Sequence, residues 1–396
     1  MQIAALATYR PTWADARGRR TLGSDEDVAT LAVSAGRLLG GRLTSVQRVV
    51  LVTRRPDALL GTAPEVVLEG LGLDPSTPLV EQIGGAPATL ETLLGSAEGT
   101  LVLAVDPVAP AASAAALVGP GGITLDGRAG ARHSVPVRTV PLPGATDLTY
   151  DDPRLLREGG WKRVLRELAG SVEDERHLVI AGVTAADAAK IARGASGVAE
   201  TEAAAPLLLL ARLAGSRSPA RLVAVENGHG VAVDVTVAGA VPVLAAERSV
   251  HPAPVSWAPS VAADIPASPA AYARAFEAKV GLKAGACSCG ELNYPPRAQC
   301  QSCGVLEPQR LQPLPRAATV YSVVTVRANV PGKTVPYSLA VVDVDGTGVR
   351  VLVHVTDDPP GAAPIGSPGE LVLRRVATRA GVPDYGYAFQ PEEQQA

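Results

Sequence analysis

The stretch Cys287-Ser-Cys-Gly-Glu-Leu-Asn-Tyr-Pro-Pro-Arg-Ala-Gln-Cys-Gln-Ser-Cys-Gly304 constrains the fold more than any other part of the chain. It holds all 4 cysteines of the 396 residues, Cys287, Cys289, Cys300 and Cys303, spaced C-x-C-x10-C-x2-C. Two close pairs separated by a short loop can fold over each other and present four thiolates tetrahedrally. That arrangement suits a structural Zn2+ ion, and a closed four-sulfur shell leaves no open position for catalysis. Gly290 and Gly304 follow the pairs, where a knuckle turn calls for a residue that tolerates positive φ. The alternatives are two disulfides or four unrelated buried thiols. The absence of a secretory signal and the clustering of every cysteine favour the metal.

The length allows two or three domains with a large core. A formal charge of -3 and a pI near 6.0 argue against a general nucleic-acid binder, which carries a basic field. The N-terminus lacks the basic segment, apolar run and cleavage site of a signal peptide. No apolar run reaches membrane-spanning length; the most apolar, Pro206 to Ala214, is interrupted by Arg212 and reads as a buried helix. The expectation is a soluble, cytoplasmic protein.

Apolar runs and helical patterns alternate over the first 250 residues. Ile3 to Thr8 reads as a strand. Ser24-Asp-Glu-Asp27 reads as a helix start, with Ser24 as cap and Asp25, Glu26 and Asp27 as partners of the helix dipole. Arg48 to Thr53 is a buried strand, followed by a helix (about Ala63 to Gly70), the segment Leu79 to Ile83, a helix (about Ala86 to Ser96) and the strand Gly99 to Asp106. The order then recurs. Trp161 to Ala169 is a helix and His177 to Gly182 a strand, Ala185 to Gly194 and Glu202 to Leu213 are helices, and Arg221 to Glu226 and Val231 to Thr236 are strands. The reading is an α/β layered domain with an internal duplication, spanning 1–250 with halves of about 1–145 and 146–250.

A proline-rich linker, 251–267, separates this domain from the rest. Residues 268–312 hold a helix (Ser268 to Val280) and the cysteine ribbon. Residues 313–396 read as all-β, with strands at 318–326, 337–344, 349–355, 370–377 and 385–389. Asp345-Gly346 marks a hairpin. Five short strands after a ribbon fit a small OB-type barrel.

From Ser268 to Pro391 the chain resembles the DUF35 family, acyl-CoA-associated proteins that join a rubredoxin-like zinc ribbon to an OB-fold. Tyr294-Pro-Pro-Arg-Ala-Gln-Cys-Gln-Ser-Cys-Gly304, Ala318 to Val326 and Tyr337 to Val344 carry the match. The resemblance implies work beside thiolase-fold enzymes. The strands lack the interleaved aromatic and basic residues of a single-strand-binding platform.

The first 250 residues resemble the thiolase superfamily, nearest to ketoacyl synthase III and HMG-CoA synthase types. The resemblance rests on the helix after Ser24-Asp-Glu-Asp27, Leu71-Gly-Leu73, the segment Gly84 to Leu94 before a strand ending in Asp106, Tyr150-Asp-Asp-Pro-Arg-Leu155, and Glu226-Asn-Gly-His-Gly-Val-Ala-Val-Asp234. It implies a thiolate attacking an acyl thioester from the turn that enters the buried helix. Here that turn is Gly84-Gly85-Ala86, and no cysteine precedes Cys287. The family's basic partner is expected near 177–182 and the next loop, yet Val183 to Asp187 holds no histidine.

What remains is sparse. His229, in a turn between two strands, is the candidate base, against the plainer reading of a hydrogen-bonded turn residue. Tyr150, Asp151 and Asp152 form an acid cluster or a turn before Pro153. His133, Arg128 and Arg132 read as a solvated loop or a phosphate contact for coenzyme A. Arg327, Lys333, Arg374 and Arg375 are expected on the solvent face of the barrel, where they could meet an acyl carrier or the coenzyme. These readings converge on an accessory subunit that lacks the nucleophile. It would serve a condensing, acyl-transfer or aldol-type complex acting on acyl-CoA or acyl carrier protein. Its expected partner is a catalytically intact thiolase-fold protein, or a second copy of itself. A stand-alone acyl-CoA-binding enzyme using His229 in non-covalent acid/base chemistry, or a zinc-ribbon/OB scaffold or nucleic-acid-binding protein, is the alternative.

Overall fold

The computed structural model describes the chain except residues 57–63, 136–153, 170–176, 192–194, 201, 254–260, 263–267, 308, 329–334, 380 and 394–396. The expected acid cluster Tyr150–Asp152, Lys333 and most of the linker lie outside the described residues.

The first half runs β1 (Gln2–Arg10), α1 (Val28–Arg37), β2 (Arg48–Thr53), α2 (Pro64–Leu71), β3 (Leu79–Ile83), α3 (Ala86–Gly95), β4 (Thr100–Asp106) and β5 (Ala112–Val118). The second runs β6 (Ile123–Arg132), α4 (Lys162–Leu168), β7 (His177–Ala181), α5 (Ala185–Ile191), α6 (Ala205–Ser216), β8 (Ala220–Glu226) and β9 (His229–Val237). The strands follow the order β3-β2-β4-β5-β1-β6-β9-β8-β7. Each half lays its strands in the order 3-2-4-5-1 with the last strand antiparallel to its neighbours. In the second half a bridge from Val179 to Ser196 stands in the third place. The halves meet where Gln2 and Ile3 pair with Thr124 and Ile123.

Period-two alternation makes five layers of this duplication. Val49 and Leu51 face α1 and α2, while Val50 and Val52 face α3 and α6. In β8, Leu222 and Ala224 face the same central helices, and Val223 and Val225 pack on α4 and α5. The central pair is therefore apolar all round, as Pro206 to Leu210 are. This is the αβαβα layering expected for a thiolase-like domain.

Strands β5 and β6 were not foreseen. The run Ala112-Ser-Ala-Ala-Ala-Leu-Val118 has poor strand propensity, but each of its residues is buried, and small side chains let α1 approach closely. The cap of α1 also differs from expectation. Asp27, not Ser24, accepts from Thr30 N at 3.0 Å, and Thr30 Oγ1 accepts from Asp27 N at 2.8 Å, closing a capping box.

A further strand, β10 (Val243–Glu247), runs parallel to β1. Beyond it, α7 (Pro269–Lys279) precedes a small sheet of β11 (Lys283–Ala286), β12 (Leu292–Asn293) and β13 (Arg310–Pro313) that carries the cysteines. The barrel follows: β14 (Ala317–Val326), β15 (Tyr337–Val344), β16 (Arg350–His354), β17 (Pro368–Arg379) and β18 (Val382–Pro391). Antiparallel pairing runs from β16 through β15 and β14 to β17 and β18, and a parallel bridge from Val355 to Phe389 closes the ring. The circuit 1-2-3-5-4-1 is that of an OB fold.

The barrel packs on α1 and α2 and shares their core. Contact is close at Gly70, where a Cβ would lie 2.8 Å from Val33 and 2.9 Å from Leu373. Arg316 donates to Gly70 O (3.0 Å) and to Tyr387 Oη (2.8 Å). Lys283 bridges Glu69 (2.6 Å) and Glu277 (2.7 Å).

Candidate functional site

The turn Gly84-Gly85-Ala86 enters α3 at the centre of the layered domain, where the N-terminal end of a helix favours an anion. The anion is supplied by the protein. Glu226, the last residue of β8, accepts from Gly85 N at 2.9 Å through Oε2. Its Oε1 lies 3.0 Å from Arg54 Nη1. A Cβ on Gly85 would come within 2.8 Å of the carboxylate, so glycine is required for this approach. Ala86, at the position expected for the nucleophile, is 1% exposed and brings only a methyl group.

The other central helix is closed in the same way. Asp106, the last residue of β4, accepts from Ala204 N (3.0 Å) and Glu202 N (3.3 Å) at the start of α6. Burial raises its carboxyl to about 7, outweighing the N–H donors that lower it. Asp106, Glu226 and Arg54 gather at the two helix entrances, and sequence reasoning gave none of them a role. The signal was present: Ala104-Val-Asp106 and Ala224-Val-Glu226 both end an apolar strand in an acid.

His229 pairs with Glu226 across the hairpin, in which Asn227 has φ 50°. Its Nε2 lies 3.4 Å from Glu91 Oε1 on α3. Glu91 is also 3.0 Å from Arg132 and 3.4 Å from Arg128. The structure thus gathers His229, Arg128 and Arg132 on one acid of the helix that follows Ala86. His133 is separate and meets Glu167 at 2.9 Å. In the loop expected to hold the basic partner, Thr184 and Asp187 cap α5, with Thr184 Oγ1 2.9 Å from Asp187 Oδ2.

The barrel arginines depart from expectation. Arg327 is exposed, but Arg374 is 0% exposed and lies among acids of the α1 start. Arg375 donates to Ser24 O at 3.1 Å. Asp25 and Glu26 face the barrel rather than serving as dipole partners of α1. Positive charge of β17 is drawn inward because the strand packs on an acidic segment rather than on water.

The four cysteines converge, with their sulfurs within 4.8 Å of one another. Cys287 and Cys303 are 3.6 Å apart, and Cys289 and Cys300 are 3.8 Å apart. These are too long for disulfides, whose sulfurs are about 2.0 Å apart. They fit the edge of about 3.8 Å set by a tetrahedron with metal–sulfur bonds of about 2.3 Å. Gly290 (φ 93°) and Gly304 (φ 74°) make the knuckle turns. Asn293 Nδ2 donates to Cys300 Sγ at 3.5 Å, a contact that favours a thiolate. The four residues could hold a metal ion.

Residues 311–374 match the family model described as the C-terminal OB-fold domain of ChsH2. No curated protein sequence matches the chain. Among solved structures, the tetronic acid condensing enzyme AbyA1 is 19% identical, with a TM-score of 0.47, over 60% of this chain and 100% of its own. The 3-oxoacyl-(acyl carrier protein) synthase III of Pseudomonas aeruginosa PAO1 is 19% identical, with a TM-score of 0.45, over 61% of this chain and 99% of its own. A structure titled Ltp2-ChsH2(DUF35) aldolase is 22% identical, with a TM-score of 0.28, over 33% of this chain and 100% of its own. The chain joins a layered αβαβα unit to an OB barrel, and it is the barrel that the family model matches. Among the described residues, no helix is long and apolar enough to cross a membrane.

Proposed function

We propose that this protein is an accessory subunit of a thiolase-fold complex that condenses, transfers or cleaves acyl groups carried on coenzyme A or an acyl carrier. The observation that carries this reading is the α3 entrance. Ala86 stands where the resemblance calls for a cysteine, and the Glu226 carboxylate occupies the N–H group beside it. An anion seated there opposes both a thiolate and the negative charge that develops on a thioester carbonyl.

The cysteine cluster would take Zn2+ through Cys287, Cys289, Cys300 and Cys303. With four sulfur ligands the ion orders the ribbon and supplies no reactive position. A groove of about 360 Å3 between α7 and β18 could receive an acyl ligand. Tyr272, Phe276, Val280 and Tyr385 line it beside Lys279 and Arg379, and its volume falls within the range of small-molecule sites. A route to a thiolase-fold partner, or to a second copy, is the edge of β3. Among the described residues β3 pairs only with β2, and Val80 and Ile83 are exposed at 40% and 68%.

The second reading, a stand-alone enzyme, is favoured by one observation: His229 Nε2 lies 3.4 Å from Glu91 Oε1 and has no hydrogen-bond partner among the described residues, which leaves this nitrogen uncommitted beside an acid. Acyl-CoA turnover by the purified chain separates the two. Activity that arises only when a cysteine-bearing thiolase-fold protein is added supports the accessory role. Turnover of a thioester by the chain alone overturns it.

A further inference from the structure

The barrel is fastened to the layered domain by a buried cluster with more acid than base. Arg374 Nη2 lies 2.6 Å from Asp357 Oδ2 and 3.6 Å from Glu26 Oε1, and Arg374 Nε is 4.0 Å from Asp25 Oδ2. The same Nη2 donates to Tyr9 Oη at 3.1 Å, and Tyr9 donates to Glu26 Oε1 at 2.6 Å. Arg374 and Asp357 are 0% exposed, and Glu26 is 1% exposed.

Strand β1 brings Tyr9, and the segment before α1 brings Asp25, Glu26 and Asp27. Helix α1 brings Ser34, 3.4 Å from Arg374 Nη1. After β16, Thr356 donates to Asp25 Oδ2 at 2.7 Å, and Asp357 follows it. Strand β17 brings Arg374 and Arg375, the latter 3.8 Å from Asp27. Strand β18 brings Tyr385, which donates to Asp27 Oδ2 at 2.9 Å, and Gln390, which donates to Asp357 Oδ2. The neighbouring Asp358 is engaged by Arg248 (3.5 Å) and His251 (3.4 Å).

Asp27 and Asp358 therefore have cations of their own. Asp25, Glu26 and Asp357 share one guanidinium, which leaves two uncompensated negative charges if all three ionise. Oδ1 of Asp25, Oδ1 of Asp357 and Nε of Arg374 have no hydrogen-bond partner among the described residues. An excess of buried charge is relieved by binding a proton.

We propose that Asp25, Glu26 and Asp357 around Arg374 form a proton-gated latch, which seats the barrel on the start of α1 and loosens when the cluster gives up its shared proton. Burial raises the Glu26 carboxyl to about 7, and the Asp25 carboxyl is also raised by burial. A raised acid binds its proton more tightly in the docked state. The latch is therefore fully held below the ordinary glutamate value of about 4.3 and weakens as pH rises through about 7. The device acts on the relative placement of the two units, whatever reaction the complex performs.

The test is hydrogen–deuterium exchange of the full chain, corrected for the intrinsic effect of pH, following 28–37 and 368–379 with 48–53 as an internal reference. Protection of the first two segments is expected to fall roughly tenfold per pH unit between pH 5 and 7, and the reference registers the part of any fall that the layered domain shares. Glu26→Gln, which keeps the shape and removes the titration, is expected to hold protection constant across that range. Equal protection of the wild type at both pH values overturns the latch, as does an unchanged pH response in Glu26→Gln. Should that variant fail to fold, carboxyl carbon NMR of the glutamate-labelled wild type decides. A buried glutamate titrating near 7 supports the latch, and titration of every glutamate below 5 overturns it.

Discussion

Asp106 and Glu226 hold equivalent places in the two halves of the layered domain, and each closes the N-terminus of the other half's central helix. Asp106 ends β4 and receives Ala204 N at 3.0 Å, and Glu226 ends β8 and receives Gly85 N at 2.9 Å. The duplication thus extends from strand order to the chemistry of its two helix entrances. At each entrance a carboxylate of the protein takes a helix-entrance N–H.

Removing either acid should show its structural weight. Asp106→Ala leaves two buried N–H groups without an acceptor and is expected to cost about 2 kcal/mol. Asp106→Asn keeps an acceptor for one of the two N–H groups but turns its amide donor toward the other, so it should cost about 1 kcal/mol, less than the alanine. Glu226→Ala, at a less buried position, should cost about 1 kcal/mol. Urea unfolding midpoints measure all three.

The raised Asp106 carboxyl makes stability depend on pH with a defined sign. Its folded value of about 7 lies above the ordinary aspartate value of about 3.9. The contribution is therefore complete below pH ~3.9 and is lost as pH rises through about 7. Stability of the wild type should fall between pH 5 and 7, and Asp106→Asn should show a smaller fall. A variant that falls as steeply as the wild type would show that this carboxyl does not titrate there.

Placing a cysteine at Ala86 tests what Glu226 does at the α3 entrance. In Ala86→Cys the adjacent carboxylate opposes the thiolate, so alkylation should be slow at pH 7 and should rise only at alkaline pH. In Ala86→Cys/Glu226→Gln the helix N-terminus acts unopposed, and the thiol pKa should drop by about one unit or more. Identical alkylation profiles would show that Glu226 exerts no such control.

His229→Ala divides the two functional readings. For an accessory subunit, acyl-CoA turnover by the complex should stay within about fivefold, since a partly exposed ion pair contributes under about 1 kcal/mol. A stand-alone general base would instead be marked by a loss of roughly 10²–10⁴-fold.

Metal analysis should find one zinc ion per chain. Cys300→Ser should lower that ratio and remove exchange protection from 283–286 and 310–313 while leaving 48–53 protected. Full metal loss with an unaltered ribbon would mean that the sulfurs do not need the ion.

The ribbon and barrel were the most legible parts of the sequence, because cysteine spacing and period-two strands are local signals. The barrel strands read from the sequence differ from β14–β18 by a few residues at their ends. The layered domain was legible wherever Val, Ile and Leu run together, as at Arg48–Thr53. It was hidden where tertiary packing overrides propensity, as in the alanine-rich β5 and in β6, Ile123–Arg132, with its glycines and charges. Candidate residues divide along the same line. Cys287, Cys289, Cys300 and Cys303 announce themselves by spacing, and His229 by rarity. Arg374 looked like a surface residue of a half-exposed strand. Its burial depends on Asp25 and Glu26, more than 340 positions earlier, and no local pattern encodes that meeting.

That meeting also sets an order of events during synthesis. Tyr9, Asp25 and Glu26 emerge early, but their guanidinium partner is made only when residue 374 is added. Until then the start of α1 must keep its acids in water, and the face that later receives the barrel stays uncovered. The first helix of the chain is thus among the last to reach its final surroundings. A nascent chain stalled before β17 would present an acidic, partly apolar surface to whatever folding helpers surround it.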